Sequence, residues 1–487
     1  MVTAVRYPPG PKSKLPGGQL LAFRRDAIGL LTRLTRQYGD VVTYKLGPER
    51  VTFLNHPDYI RDVLVTHQRN FTKSRALQWA KFILGEGLLT SEGEGHVRQR
   101  RLAQPAFQRQ RIPTYGAVMA AYAQRLQECW LDGETRDIDQ EIARLTLAIA
   151  SKTLFDADVE EDARDIGAAL TIILQLFPRF MLPFNNLIGK LPLPSNRQAE
   201  QARKLLDTVI YRIIQERRTS GVDTGDLLSM LLAARDEEGD GGSMSDQQLR
   251  DEAMTIFLAG HETTAMLLTW TWYLLSQHAV VEAQLHTELD TVLAGHLPTV
   301  EDMPRLPYTR MVLAEAMRLY PPAWIIGRRA IEAYEVGAYV IPAKSIVVMS
   351  PYITQHDARF FPDPGVFDPQ RWTPEAEAAR PTFAYFPFGG GARQCIGEGF
   401  AWMEGILALA TLAQQWRMRL APGHPVGFKP LLTLAPQVRH AHDIGTAPGA
   451  VRQCCWSERR YDAGIGSQTF CAPSGTQCVP SRSARWP

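Results

Sequence analysis

Residues 388–397 read FGGGARQCIG, with Gly389, Gly390, Gly391 and Gly397 crowded around Cys395. A glycine run gives up side-chain packing and gains backbone conformations and close approaches open to no other residue. Three uses of such a thiol compete. A buried structural cysteine is the commonest fate of a lone Cys, but it leaves the glycines without a purpose. A nucleophile activated by Arg393 and a following helix N-terminus requires a base, and none stands nearby in the sequence. A metal ligand accounts for more. A thiolate on iron needs positive potential, which the helix following at about 397–415 supplies. The glycines admit a flat, bulky group, and Phe388 shields the sulfur from water. Haem with an axial thiolate satisfies all of these demands. No C-x-x-C-H is present, so the haem is not attached covalently in the c-type way.

The rest of the chain sets the frame for that loop. Its 487 residues are 45% hydrophobic and 21% charged, which suits a globular protein with a sizeable core. The formal net charge of +2 gives no electrostatic case for nucleic acid as a partner. No apolar run reaches the roughly 18–20 residues of a membrane span, and the start, MVTAVRYPPGPKSKLPGG, lacks the apolar core of a signal peptide. That start reads as an extended arm. The expected location is cytoplasmic.

Hydrophobic periodicity predicts a mostly helical body with a small strand-rich part. A hairpin is expected over VVTYKLGPERVTFLN, and helices run from about Pro57 to Phe177. Ser245 and Gln248 have the spacing of a capping box for a long helix from about Asp246 to Gln277. Helices at about 279–294 and 308–319 follow. Beyond Pro321 short strands alternate with proline-rich turns.

Midway along the long helix stands AGHETT, residues 259–264. Ala259 and Thr263 are four apart, hence on one face. The small Ala259 and Gly260 let the helix pass close to a flat cofactor. Thr263 is placed to bond the Ala259 carbonyl and open the helix, leaving a polar notch for dioxygen and water beside Glu262, which relays protons. The competing reading is a capping threonine pair on an amphipathic helix. A metalloprotease H-E-x-x-H is excluded, because Ala265 stands where the second histidine would be.

Phe388, Gly391, Arg393, Cys395 and Gly397 match the F-x-x-G-x-R-x-C-x-G signature, and in this the chain resembles the cytochrome P-450 family of haem-thiolate monooxygenases. Further family motifs follow in the family's order across residues 90–400. The resemblance implies the P-450 fold, a haem b cofactor with Cys395 on the iron, and contacts to haem from Ala259, Phe388, Gly389 and Arg393. It makes Glu262 and Thr263 the catalytic pair of the oxygen-activation site. Glu315 and Arg318 form the family's E-x-x-R, joined in the core by Arg371 from FDPQRW. GHVRQRRLAQPAF resembles the W-x-x-x-R helix, with His96 in place of tryptophan and Arg100 retained, both toward the haem propionates. In IIGRRA strand alternation lets one of Arg328 and Arg329 face the haem, and family spacing favours Arg328. The activity implied is insertion of one oxygen atom from O2 into a lipophilic substrate. Electrons are expected from a separate ferredoxin with its reductase or from a flavodoxin, docking on Arg98, Arg101, Arg109 and Arg393. A haem sensor without turnover and a peroxide-driven peroxygenase are the alternatives. The intact Glu262–Thr263 pair counts against both.

Family placement puts Trp79, Phe82, Ile83, Leu84, Phe257, Trp324, Ile325 and Leu431 around the substrate. This apolar lining suits a fatty acid or terpenoid, since burial of apolar surface contributes about 25 cal/mol per Å². Lys81 or Lys429 is available to a fatty carboxylate. Residues 1–445 are read as the haem domain. The segment 446–487 is read as an atypical, disordered tail, with no strand pattern in QVRHAHDIGTAPGAVRQCC. A translated frameshift accounts for this tail as readily as a genuine extension does.

Overall fold

A computed structural model of the chain describes residues 6–12, 17–107, 112–156, 163–180, 191–235, 242–438 and 440–447. Residues Met1–Ala450 form one compact unit. Its axis is the helix Asp246–Gln277, which begins at the expected capping box: Gln248 N donates to Ser245 Oγ at 3.2 Å, and Ser245 N donates to Gln248 Oε1 at 3.0 Å. Its middle is apolar on nearly every face, so it is buried all round and not merely amphipathic. Helices Ile138–Phe155, Pro307–Leu319 and Glu398–Ala413 pack against it. Among the described residues no helix is long and apolar enough to cross a membrane.

The strand-rich part is a five-stranded sheet. In spatial order it contains Val41–Leu46, Glu49–Leu54, Ile346–Met349, Ile326–Ala330 and Phe71–Lys73. The first two strands are the expected hairpin, with Tyr44 opposite Val51. The last two set Lys73 opposite Arg328. Strand Phe71–Lys73 and strand Thr135–Asp137 interrupt the stretch read as continuously helical. The N-terminal arm is extended as expected. Its Pro9 carbonyl accepts from Thr43 N at 2.8 Å, and its Arg6 carbonyl from Val340 N at 2.9 Å.

The E-x-x-R pair lies at the centre of the core, with both side chains 0% exposed. Arg318 donates from Nε and Nη2 to the two Glu315 oxygens at 2.8 Å each. The carboxylate also accepts from Trp372 Nε1 at 2.9 Å and Asp368 N at 3.1 Å, with Arg371 Nε at 3.4 Å. Arg318 Nη1 reaches the carbonyls of Gln355 and Pro364, and Nη2 that of Val366. Desolvating two charges is affordable only when their remaining hydrogen-bonding positions are filled this way. The network ties the helix Pro307–Leu319 to the loop leading toward Cys395.

Two expectations need correction. The segment after Pro436 does contain a strand: Ala441–Thr446 pairs with Trp416–Leu420 on one side and Thr135–Asp137 on the other, with Ile444 opposite Met418. The body therefore extends past residue 445. The alternation was hidden because its first inward position, His442, and the buried residue leading into it, His440, are both histidines. His440 and His442 are both fully buried. Residues 448–487, the bulk of the expected tail with its four cysteines, lie outside the described residues. Second, the long helix does not open at AGHETT but stays helical throughout. The Thr263 hydroxyl bonds the Ala259 carbonyl without displacing the ladder.

Buried histidines have a thermodynamic consequence. Among the described residues both ring nitrogens of His440 and Nε2 of His442 lack hydrogen-bond partners, Asp139 Oδ1 standing 3.6 Å from His440 Nδ1, and burial pushes each ring down to about 4. Above pH ~6.5 each ring is neutral folded or unfolded; between about 6.5 and 4 only the unfolded ring takes a proton, so stability falls as pH falls through that window. Replacing both with leucine is expected to stabilise the fold by about 1–3 kcal/mol per ring at neutral pH. The double variant should also lose less stability on acidification to pH 4, as thermal unfolding midpoints across pH will show.

Candidate active site

A cavity of about 1510 Å³ lies between the long helix, the five-stranded sheet and the glycine loop. Cys395 forms part of its wall, and the exposure of this cysteine is exposure to the cavity. The loop closes on itself through Cys395 N donating to the Phe388 carbonyl at 2.9 Å. Its glycines serve the loop more than a ligand. A Cβ at Gly391 (φ +67°) would meet the Leu64 carbonyl at 2.0 Å, and one at Gly390 would meet the Phe383 ring at 2.7 Å. Gly389 differs. Its positive φ of +73° asks for glycine, yet no atom lies closer than 3.8 Å to its missing Cβ, and it lines the cavity. Close approach to a flat group is therefore available at Gly389, whereas Gly390 and Gly391 answer to protein contacts. Burial raises the Cys395 thiol, and the Gly397 amide partly offsets it. The helix N-terminus alone does not keep this thiol ionised; coordination to a cation would.

Basic side chains gather at one end of the cavity. Lys73, His96, Arg100, Arg328 and Arg393 all line it. One acid, Glu92, stands among them: Arg393 Nη2 bonds it, and Lys73 N donates to it at 2.5 Å. Arg393 Nη1 also donates to the Ser91 carbonyl at 2.7 Å, and Arg100 Nη1 to the Gln394 carbonyl at 2.8 Å. Arg328 bonds its neighbour's carbonyl alone, and the Lys73 ammonium has no ion pair among the described residues. Burial, then the neighbouring cations, lower Lys73 well below the usual lysine range and Arg328 to about 10. Burial and Arg393 lower His96 to about 4. His96 Nδ1 faces the Leu88 carbonyl and Nε2 the Ala392 carbonyl. Buried unpaired cations cost several kcal/mol each. A flat apolar group carrying two carboxylates, with a metal facing Cys395, fits both the charge and the donor set. Haem is such a group.

Strand register decides between the two arginines. Arg328 is buried and faces the cavity, whereas Arg329 points to the other face of the sheet. Lys73 escaped the sequence reading. Its only signal is pairing opposite Arg328, and that pairing joins segments 255 residues apart.

Across the cavity runs the face of the long helix bearing Ala259, Gly260, Glu262 and Thr263. Thr263 Oγ1 donates to the Ala259 carbonyl at 2.7 Å. Glu262 accepts from Thr433 Oγ1 at 3.0 Å, and burial raises its carboxyl above the usual range. Trp324, Ile325 and Leu431 line the cavity, together with Leu88, Leu89, Phe107, Ile256 and Phe428, which the sequence reading did not select. Phe82 does not line it. It is 51% exposed and lies under Arg203. Phe257 packs into the core against Phe155, with ring centroids 5.8 Å apart, and Ile83 and Leu84 join the same apolar cluster. Helical phase explains the Phe257 error, since its neighbour Ile256 takes the cavity face. The side chain of Trp79 lies outside the described residues. Lys81 pairs with Glu86 at 2.7 Å away from the cavity, whereas Lys429 is on its wall. The expected docking face also changes. Arg393 is committed to Glu92 inside the cavity, and Arg109 lies outside the described residues.

Comparison with known proteins agrees with this geometry. Residues 8–437 match the family described as cytochrome P450. The chain is 41% identical to cyclooctatin synthase of Streptomyces melanosporofaciens, over 86% of this chain and 91% of that protein. It is 37% identical to pentalenene oxygenase of Streptomyces avermitilis, over 79% and 85%. Among solved structures, retinoic acid bound cyanobacterial CYP120A1 superposes with a TM-score of 0.82 at 26% identity, covering 91% of this chain and all of that one. The chain belongs to the cytochrome P450 family and is a monooxygenase of that family; membership implies a haem cofactor, dioxygen and a source of electrons.

One expectation separates the paired arginines. Arg328→Ala should lower the haem content of purified protein at least severalfold, by removing a buried donor on the cavity wall. Arg329→Ala should leave it unchanged, and the ratio of haem absorbance to protein absorbance measures both.

Proposed function

We propose that this cytochrome P450 oxidises a terpenoid at an unactivated carbon, with electrons delivered by a separate ferredoxin- or flavodoxin-type protein in the cytoplasm. The observation that carries this reading is the largely apolar cavity that joins the Cys395 thiol to the Glu262–Thr263 face and holds Trp324, Ile325 and Leu431 on its wall. Relatives whose names carry terpenoids, cyclooctatin synthase and pentalenene oxygenase, favour this class over fatty acids. So does the loss of Lys81 as a carboxylate partner, although Lys429 remains on the wall.

Each residue has a task. Cys395 would hold the haem iron through its sulfur, and Phe388 and Gly389 would form the loop surface against the macrocycle. His96, Arg100, Arg328 and Arg393, with Lys73, would receive its two carboxylates, whose negative charge would neutralise the cations that otherwise destabilise this end of the cavity. When bound, haem with a thiolate ligand supplies the activation of dioxygen. The chain supplies protons and exclusion of water. Glu262, raised by burial, holds a proton further toward neutral pH than an exposed carboxyl does. Thr263 points its hydroxyl proton back to the Ala259 carbonyl, which leaves the oxygen lone pairs free to accept from the cavity side. Ala259 lines the cavity and would offer no bulk against the cofactor. Residues 1–447 form the haem domain.

Two experiments test this. Cys395→His should abolish the strongly red-shifted carbon monoxide band of the reduced protein; persistence of that band would overturn the ligand assignment. Titration of the holoenzyme with cyclic sesquiterpenes and diterpenes, saturated fatty acids and charged drugs should give the low-to-high spin shift with terpenoids first. Shifts confined to charged compounds would overturn the substrate class.

A further inference from the structure

Glu262 is held by a residue that is distant in sequence and belongs to the substrate side of the cavity. Thr433 Oγ1 donates to Glu262 Oε1 at 3.0 Å across 171 positions. Thr433 is buried, and among the described residues no cation pairs with Glu262. The hydroxyl is thus the carboxyl's one protein partner there.

The turn that carries Thr433 is rigidly placed. Leu431 N donates to the carbonyls of both Lys429 and Thr433 at 3.0 Å. Trp324 Nε1 donates to the Leu431 carbonyl at 2.9 Å, and Trp270 Nε1 to the Leu434 carbonyl at 2.8 Å. Leu434 N completes the frame by donating to the Pro322 carbonyl at 3.0 Å. Leu431 and Leu432 of the same turn line the cavity. One short segment therefore touches the space a substrate fills and holds the acid through a single bond.

We propose that Thr433 is the positioning residue for Glu262 and fixes the orientation of that acid from the same turn whose Leu431 and Leu432 line the cavity. The proposal rests on the reading of Glu262 as the proton carrier. Without the hydroxyl, the carboxyl has no partner to fix its rotamer, and a buried polar group without a fixed partner samples several orientations.

The test uses the haem-loaded full chain with a surrogate ferredoxin system and farnesol as probe. It reads peroxide released per reductant consumed in Glu262→Gln, Thr433→Val, Thr433→Ala and Thr433→Ser. Infrared titration of the protonated carboxyl band, assigned by its loss in Glu262→Gln, follows the acid without turnover. Expected are about fivefold more peroxide in Thr433→Val and Thr433→Ala, the factor that one hydrogen bond supports, a shifted carboxyl band, and return toward the parent in Thr433→Ser. A parent-like band and peroxide yield in both hydroxyl-less variants, with Glu262→Gln still uncoupled, would overturn the positioning role alone. Failure of Thr433→Ser to restore the parent would also overturn it, by assigning the effect to packing. Parent-like behaviour of Glu262→Gln would overturn the proton-carrier reading and the positioning role with it.

Discussion

The arrangement of the site depends on a cluster of buried and half-buried cations that the one acid among them, Glu92, neutralises only in part. Lys73, Arg100, Arg328 and Arg393 share the cavity end with a single acid, Glu92. Burial lowers the basicity of Lys73, Arg328 and Arg393, and the neighbouring cations add to the effect. Such a cluster is a standing cost unless a ligand brings negative charge. Two carboxylates on a flat apolar body meet that need, and a thiol on the same cavity meets a metal at its centre. Binding of that group is then part of what makes the cavity stable, by the usual linkage of ligand affinity to folding.

Two other buried charged groups are treated differently, and the contrast is informative. Glu315 and Arg318 are equally removed from water, but every oxygen and most guanidinium protons there find partners. That network is closed and structural. Glu262 is raised by burial and held by one hydroxyl, so its carboxyl is free to change protonation state. A saturated network gives rigidity, and an undersupplied one gives chemistry.

The buried histidines of the last strand fit neither category. His440 and His442 face the core, and among the described residues both ring nitrogens of His440 and Nε2 of His442 find no hydrogen-bond partner. They disguise a strand that the fold needs to close its three-stranded sheet. Pairing with Trp416–Leu420 and Thr135–Asp137 overrides the polar character of the sequence there, because backbone ladder bonds and the buried Ile444 outweigh the three unsatisfied ring nitrogens.

The sequence alone determined the motifs whose members are close together. The glycine loop ending in Cys395, the Ala259–Thr263 spacing, the Glu315–Arg318 pair and the Ser245 capping box each lie within one turn of loop or helix, where local geometry follows from spacing. It also determined the long helix and the first hairpin, whose periodicity is strong. What only the tertiary structure decided joins distant segments: Lys73 beside Arg328 through strand register, Thr433 on Glu262, and Glu92 on Arg393. The same holds for the cavity lining, where a rotation of about 100° per helical residue placed Ile256 on the wall and turned Phe257 into the core. Spacing along a chain specifies a face of an element, but which face meets the cavity is settled only when the elements pack.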